Sequence, residues 1–180
     1  MKKLVVLSLF CVFATITQAG LVGVGLDYVD TSYTAATRVF SMNDSGLLAV
    51  LQHDNNTQTY LMGISIQLAT TYASGMSFAG GDFVISDVGG TLLAGNVISV
   101  DFTAGATTLA GEGKAQVTTS NLNGFPVGPA DIISITFNLT PAFADFNQNY
   151  TGDSKVNFQV PEPVTMCLLG LGGLLLRKRG

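Results

Sequence analysis

The sequence predicts an all-β domain, an antiparallel two-sheet sandwich of the jelly-roll or Greek-key kind, with a short apolar helix at either end of the chain. Three observations carry that prediction. Apolar and polar residues alternate in one run after another, which is the signature of half-buried strands. Clusters of Gly, Asn and Asp punctuate the runs as turns would. Between Gly20 and Gln159 no apolar spacing of helical period persists over a useful length. A small closed barrel is the second architecture that fits, and the spacing of the turns suggests about eight to eleven short strands.

The first element is not part of the domain. In residues 1–19, Lys2 and Lys3 form a charged start, Leu4 to Ile16 an apolar run, and Thr17-Gln18-Ala19 a small-residue cleavage site before Gly20. That order is a secretory signal peptide, its run shorter than the roughly 20 residues a membrane span needs. It implies the Sec translocon and signal peptidase as partners, with the cut between Ala19 and Gly20.

Residues 20–159 are the domain. Val22, Val24, Leu26 and Tyr28 share one face of the first strand. Tyr60, Met62, Ile64, Ile66 and Leu68 share a face of another, as do Ile98, Val100 and Phe102, then Ile133, Ile135, Phe137 and Leu139, then Val156, Phe158 and Val160. Turns are expected at Asn43-Asp44-Ser45-Gly46, Asp54-Asn55-Asn56, Gly80-Gly81-Asp82, Asp87-Val88-Gly89-Gly90, Gly95-Asn96, Gly111-Glu112-Gly113 and Gly128-Pro129. The stretch Ala69 to Phe78 is ambiguous. The domain contains no cysteine, so it must rest on its core rather than on disulfides.

Residues 160–180 have three parts. Pro161-Glu162-Pro163 comes first, and its prolines hold an extended, accessible tripeptide. Val164 to Leu176 is uncharged, with Gly170, Gly172 and Gly173 inside it, and Arg177-Lys178-Arg179 follows. As a helix these 13 residues reach ~20 Å, short of a hydrocarbon core of roughly 30 Å. Bilayer thinning and snorkelling of Arg177 and Lys178 close the gap, so a transmembrane helix with a cytoplasmic basic end is expected. This tripeptide, apolar span and basic cluster resemble the bacterial PEP-CTERM sorting signal, also catalogued as an ice-binding protein C-terminal domain. The resemblance covers about 20 residues and says nothing of the cargo's fold. It implies recognition at Pro161-Glu162-Pro163 by an exosortase, transient anchoring at the inner membrane through residues 164–176, release to the envelope surface, and association with exopolysaccharide and biofilm.

Charge excludes one class of partner. Hydrophobic residues make up 47 % of the chain and charged ones 11 %. Between Gly20 and Val160 only Arg38, Lys114 and Lys155 stand against eleven acidic residues. So acidic a domain carries no footprint for nucleic acid.

Candidates for chemistry are sparse. His53 is the one histidine, it sits beside Asp54 in an expected turn, and no Gly-x-Ser-x-Gly elbow exists. One His without Cys does not make a zinc site. For paired carboxylates, Glu112 is the one glutamate before the sorting tripeptide, with Asp82, Asp87 and Asp101 on polar faces. Trp is absent, so a sugar platform would need Tyr28, Tyr33, Tyr60, Tyr72 or Tyr150, of which Tyr28 and Tyr60 read as core. Asp145-Phe146-Asn147-Gln148-Asn149, with Asp153 after it, begins like a calcium loop. Tyr150 replaces its turn glycine and Val156 its bidentate acid. Thr107-Thr108 and Thr118-Thr119 form no Thr-x-Thr ladder for ice.

The expectation is therefore an exported cell-surface or extracellular-matrix protein of structural or adhesive role, not an enzyme, with no cofactor, metal or catalytic residue assigned. The alternative is a glycan- or calcium-binding surface module, for which a shallow groove lined by exposed Tyr and Asp would speak. A secreted hydrolase ranks third and would need two carboxylates facing each other in a cleft.

Overall fold

The structure, a computed structural model, describes residues 21–160 except 106, 143 and 144. The expected signal helix and C-terminal helix thus lie outside the described residues. So do Ala19, Gly20, Pro161, Glu162, Pro163, Arg177, Lys178 and Arg179. Among the described residues there is no helix, none therefore long and apolar enough to cross a membrane, and the expected transmembrane helix has no counterpart there.

Eight strands follow one another: β1 (Leu21–Thr34), β2 (Val39–His53), β3 (Gln58–Ser74), β4 (Ser77–Asp87), β5 (Gly90–Ala104), β6 (Leu109–Ser120), β7 (Ile132–Thr140) and β8 (Tyr150–Gln159). Each pairs antiparallel with its chain neighbours, and β8 returns to β1 from Gly23↔Gln159 to Tyr33↔Tyr150. The result is a closed up-and-down barrel, not the two-sheet sandwich that the sequence suggested. Alternation tells which face of a strand is buried. It does not tell whether that face meets a second sheet or the far wall of its own.

Misread turns also favoured the sandwich. Asp54-Asn55-Asn56, Asp87-Val88-Gly89-Gly90 and Gly128-Pro129 do fall at connections. The clusters at Asn43–Gly46, Gly80–Asp82, Gly95-Asn96 and Gly111–Gly113 lie inside strands. A closed sheet of long, coiled strands needs small residues where walls approach. At Gly95 a Cβ would lie 2.3 Å from the Gln116 carbonyl oxygen and 2.7 Å from the Phe83 ring.

The interior is filled by side chains, as eight strands dictate. Leu26, Phe40, Ile66, Phe78, Phe83, Ile85, Leu93, Ile135 and Phe158 are buried there. At the end where the chain enters and leaves, Leu122 and Phe125 of the β6–β7 connection cover the core, and Leu21 N donates to Gly124 O at 3.0 Å. At the other end Phe146, from the β7–β8 connection, packs edge-on to Tyr33 and Phe78 with ring centres 5.5 and 5.4 Å away. Tyr33 Oη donates to the Phe146 carbonyl at 2.9 Å.

β7 and β8 keep the expected faces: Ile133, Ile135, Phe137, Leu139, Val156 and Phe158 all point inward. In β1, β3 and β5 the phase flips part-way. Asp27 and Tyr28 both stand between the paired positions Leu26↔Val156 and Val29↔Ser154, so Tyr28 turns out and Val29 in. Gly63, at φ 73°, is an extra residue between Leu47↔Ile64 and Leu48↔Met62. Tyr60 and Met62 therefore face solvent, contrary to expectation. Ile98 is likewise extra between Val97↔Ala115 and Ser99↔Lys114, which puts Val97 inside and Ile98 outside. Each is a bulge, and one inserted residue reverses a period-2 pattern beyond it.

Candidate functional site on the outer wall of β8 and β1

With the barrel filled, ligand chemistry has to lie on its outside. The bulge in β1 builds the most distinctive surface there. Tyr28 holds φ at 60°, an uncommon conformation for a bulky residue, and its side chain is 81 % exposed. Its neighbour Asp27 accepts an ion pair from Lys155 of β8, Nζ to Oδ1 at 2.9 Å. Both partners are partly exposed, so the pair fixes orientation more than it adds stability.

That ion pair divides two shallow grooves and belongs to both. One, of about 330 Å³, is floored by Gly23 and Gly25 and walled by Gln52, Gln58, Asn157 and Gln159. Its depth depends on the missing side chains, since a Cβ at Gly25 would lie 2.7 Å from Asn157 Oδ1. Asn157 Nδ2 donates at 3.5 Å to Thr136 Oγ1 on β7. The other groove, of about 350 Å³, is lined by Tyr28, Asn138, Thr140 and Asp153. The whole trough thus offers carboxamides that donate and accept at once, the carboxylates of Asp27 and Asp153, an ammonium and an exposed aromatic ring.

The other candidates from the sequence scatter. His53 ends β2, its Nε2 3.1 Å from Thr59 Oγ1, and it serves the turn that follows through backbone bonds with Thr57 and Asn56. Asp87 caps the β4–β5 turn by accepting from Gly89 N at 2.7 Å. Asp82 lies in β4 opposite Asn96. The calcium-like residues do not converge. Asp145 accepts from Asn147 N, Asn147 Nδ2 and Gln148 Nε2 at 2.9, 3.0 and 3.0 Å, while Asn149 Oδ1 accepts from Ala35 N at 2.9 Å. The backbone bond from Asn147 is the main cause that holds the Asp145 carboxyl below its usual range. Among the described residues no three His, Cys, Asp or Glu side chains gather as metal ligands.

Among the tyrosines the sequence had the sides reversed. Tyr33 and Tyr150 are buried and belong to the core, and desolvation pushes both phenols above their usual range. Tyr28 and Tyr60, read as core, are exposed. Tyr72 lies half-buried beneath Arg38, whose guanidinium sits 5.3 Å from the ring centre. Two carboxylate pairs also went unseen, Asp30↔Asp153 across β1–β8 and Asp101↔Glu112 across β5–β6. All four side chains are exposed on the barrel's outer wall. Asp101 is further held by the Ser77 hydroxyl. The trough itself joins residues from opposite ends of the domain. Its one local signal was the apolar pair Leu26 and Val29 flanking Asp27-Tyr28, a break in alternation. No family model, curated protein or solved structure matches the chain, so the likeness of its tail to a sorting signal rests on the tail residues themselves.

Proposed function

We propose that this is an exported, non-enzymatic protein of the bacterial cell surface or extracellular matrix, which adheres to polysaccharide through the β8–β1 trough. Residues 1–19 direct it to the Sec translocon and are removed by signal peptidase before Gly20. Pro161-Glu162-Pro163 presents it to an exosortase while residues 164–176 hold it at the inner membrane and Arg177-Lys178-Arg179 remain on the cytoplasmic side. Release then delivers an acidic barrel to the surface.

The observation that carries the adhesive part is Tyr28, an exposed ring held at φ 60° beside a groove walled by carboxamides. Sugars offer apolar ring faces and hydroxyls that both donate and accept. An aromatic face with adjacent Asn and Gln amides meets both needs. Asp27 held by Lys155 supplies a fixed acceptor in the middle.

Two measurements test the proposal. Intact mass of the protein from its own envelope fraction is expected to begin at Gly20 and end near Pro161–Pro163 only when the exosortase is present. Retention of residues 164–180 in both strains overturns the sorting route. Co-sedimentation of the mature protein with the cell's exopolysaccharide is expected to weaken about three- to tenfold in Tyr28→Ala, the range of one aromatic contact. Equal binding by the variant, or no binding by the wild type, overturns the adhesive role.

A further inference from the structure

β3 is the longest strand, and its two halves are paired differently. Between Ile66 and Thr71 it has partners on both sides, β2 and β4. From Gln58 to Met62 its register runs with β2 alone, and the unpaired Gly63 follows, because the β4 ladder begins at Ser65↔Ser86 and β4 ends at Asp87. Gln58-Thr59-Tyr60-Leu61-Met62-Gly63 is thus a strand edge left open by the stagger of the barrel rim.

Proteins ordinarily blunt such edges with charge, proline or a covering loop. This one has neither charge nor proline: no Asp, Glu, Lys, Arg or His occurs from Asn55 through Gly81, and no Pro. Nor is it covered, since Tyr60 is 58 % and Met62 84 % exposed. On the same outer face Leu48 stands opposite Met62 and Val50 opposite Tyr60, which makes a continuous apolar strip across β2 and β3.

The occupant follows from charge. Eleven acidic residues against three basic ones make two copies of the domain repel each other wherever charged walls face. A basic partner would be drawn to those walls and away from this strip. A second copy can approach where charge is lacking, and β3 is the charge-free strand with an open edge. We propose that two molecules of this protein join edge to edge through Gln58–Gly63, antiparallel, about a two-fold axis at Leu61. In that register Tyr60 of each copy lies opposite Met62 of the other, an aromatic–thioether pair formed twice. The interface is isologous and closes at two, so it makes a dimer and not a fibre.

The test is sedimentation velocity on the mature full-length protein, with a charge exchange to fix the register. The wild type is expected at twice the monomer mass. Tyr60→Lys alone and Met62→Glu alone are each expected at monomer mass, with unchanged circular dichroism because both side chains lie outside the core. An equimolar mixture of the two is expected to regain the dimer, since one Lys then faces one Glu while the native Met–Tyr pair survives on the other side of the axis. A monomeric wild type, a dimer indifferent to both substitutions, or a mixture that stays monomeric overturns the proposal.

Discussion

β7 and β3 are the two strands without a charged side chain, and they end in opposite situations. β7 has nine residues, pairs with β6 and β8 with no register shift, and sends every second side chain from Ile133 to Leu139 into the core. β3 has 17 residues, carries a bulge at Gly63, puts apolar side chains on both faces and leaves one edge open over its first third. The comparison teaches that a neutral, apolar strand is not thereby a core strand. What decides is whether both edges are paired and whether the alternation runs unbroken. In β7 the apolar residues hold the barrel together. In the first third of β3 they are presented to whatever meets the wall.

The largest expected effect tests that division directly. Phe137→Ala in β7 removes a ring packed 6.0 Å from Phe40 and Phe102, and should cost about 3–5 kcal/mol in urea unfolding. Met62→Ala in β3, made in the Tyr60→Lys background where no dimer forms, should change stability by no more than about 0.5 kcal/mol. Equal losses would break the distinction. A middle-sized effect concerns the bulge. A Cβ at Gly63 meets nothing within 4 Å, so Gly63→Ala pays for its φ of 73° alone, about 1–2 kcal/mol by the same measurement. A larger loss would mean that the bulge is packed, as β7 is.

The smallest effect concerns the two buried phenols at the closure of the barrel. Tyr33 and Tyr150 face each other across β1 and β8, and burial raises both above the ordinary value of 10.0. For a group whose folded pKa is raised, the stability it contributes is intact below the unfolded value and is lost as pH rises through the folded one. Thermal midpoints should therefore hold up to about pH 9 and fall above about pH 10. Tyr150→Phe should make that fall shallower.

How much was legible in the sequence depended on the same bulges. β7, and β8 from Val156 onward, could be read residue by residue, because nothing interrupts their period there. The faces expected in β1, β3 and β5 hold on one side of each bulge only, at Val24 and Leu26, at Ile64, Ile66 and Leu68, and at Val100 and Phe102, since an inserted residue leaves local composition unchanged while reversing the phase across it. Closure could be named as the second architecture but not chosen over the sandwich: β1 and β8 pair across the full length of the domain, and neither strand carries a mark of its partner. The candidate trough shared that fate. Asp27 and Lys155 are far apart in the chain and meet because the barrel closes there. Glycines gave the opposite difficulty, since those at Gly95 and Gly111 look like turns yet mark places where a wall or a ring leaves no room for a Cβ.

The seam between β8 and β1 also decides how the molecule would bear tension. Gly23 and Gln159 are paired, and Val160 N donates to Val22 O at 3.0 Å, so both ends of the chain depart side by side from one rim. A pull applied between those two ends opens the seam like a zip, one rung after another, at low force. In the proposed route, before the tail is cut, a pull between it and a polymer seated in the trough would instead run along β8 and load its rungs together in shear. An attachment point next to the proposed grip would then be weak against peeling and strong against drag.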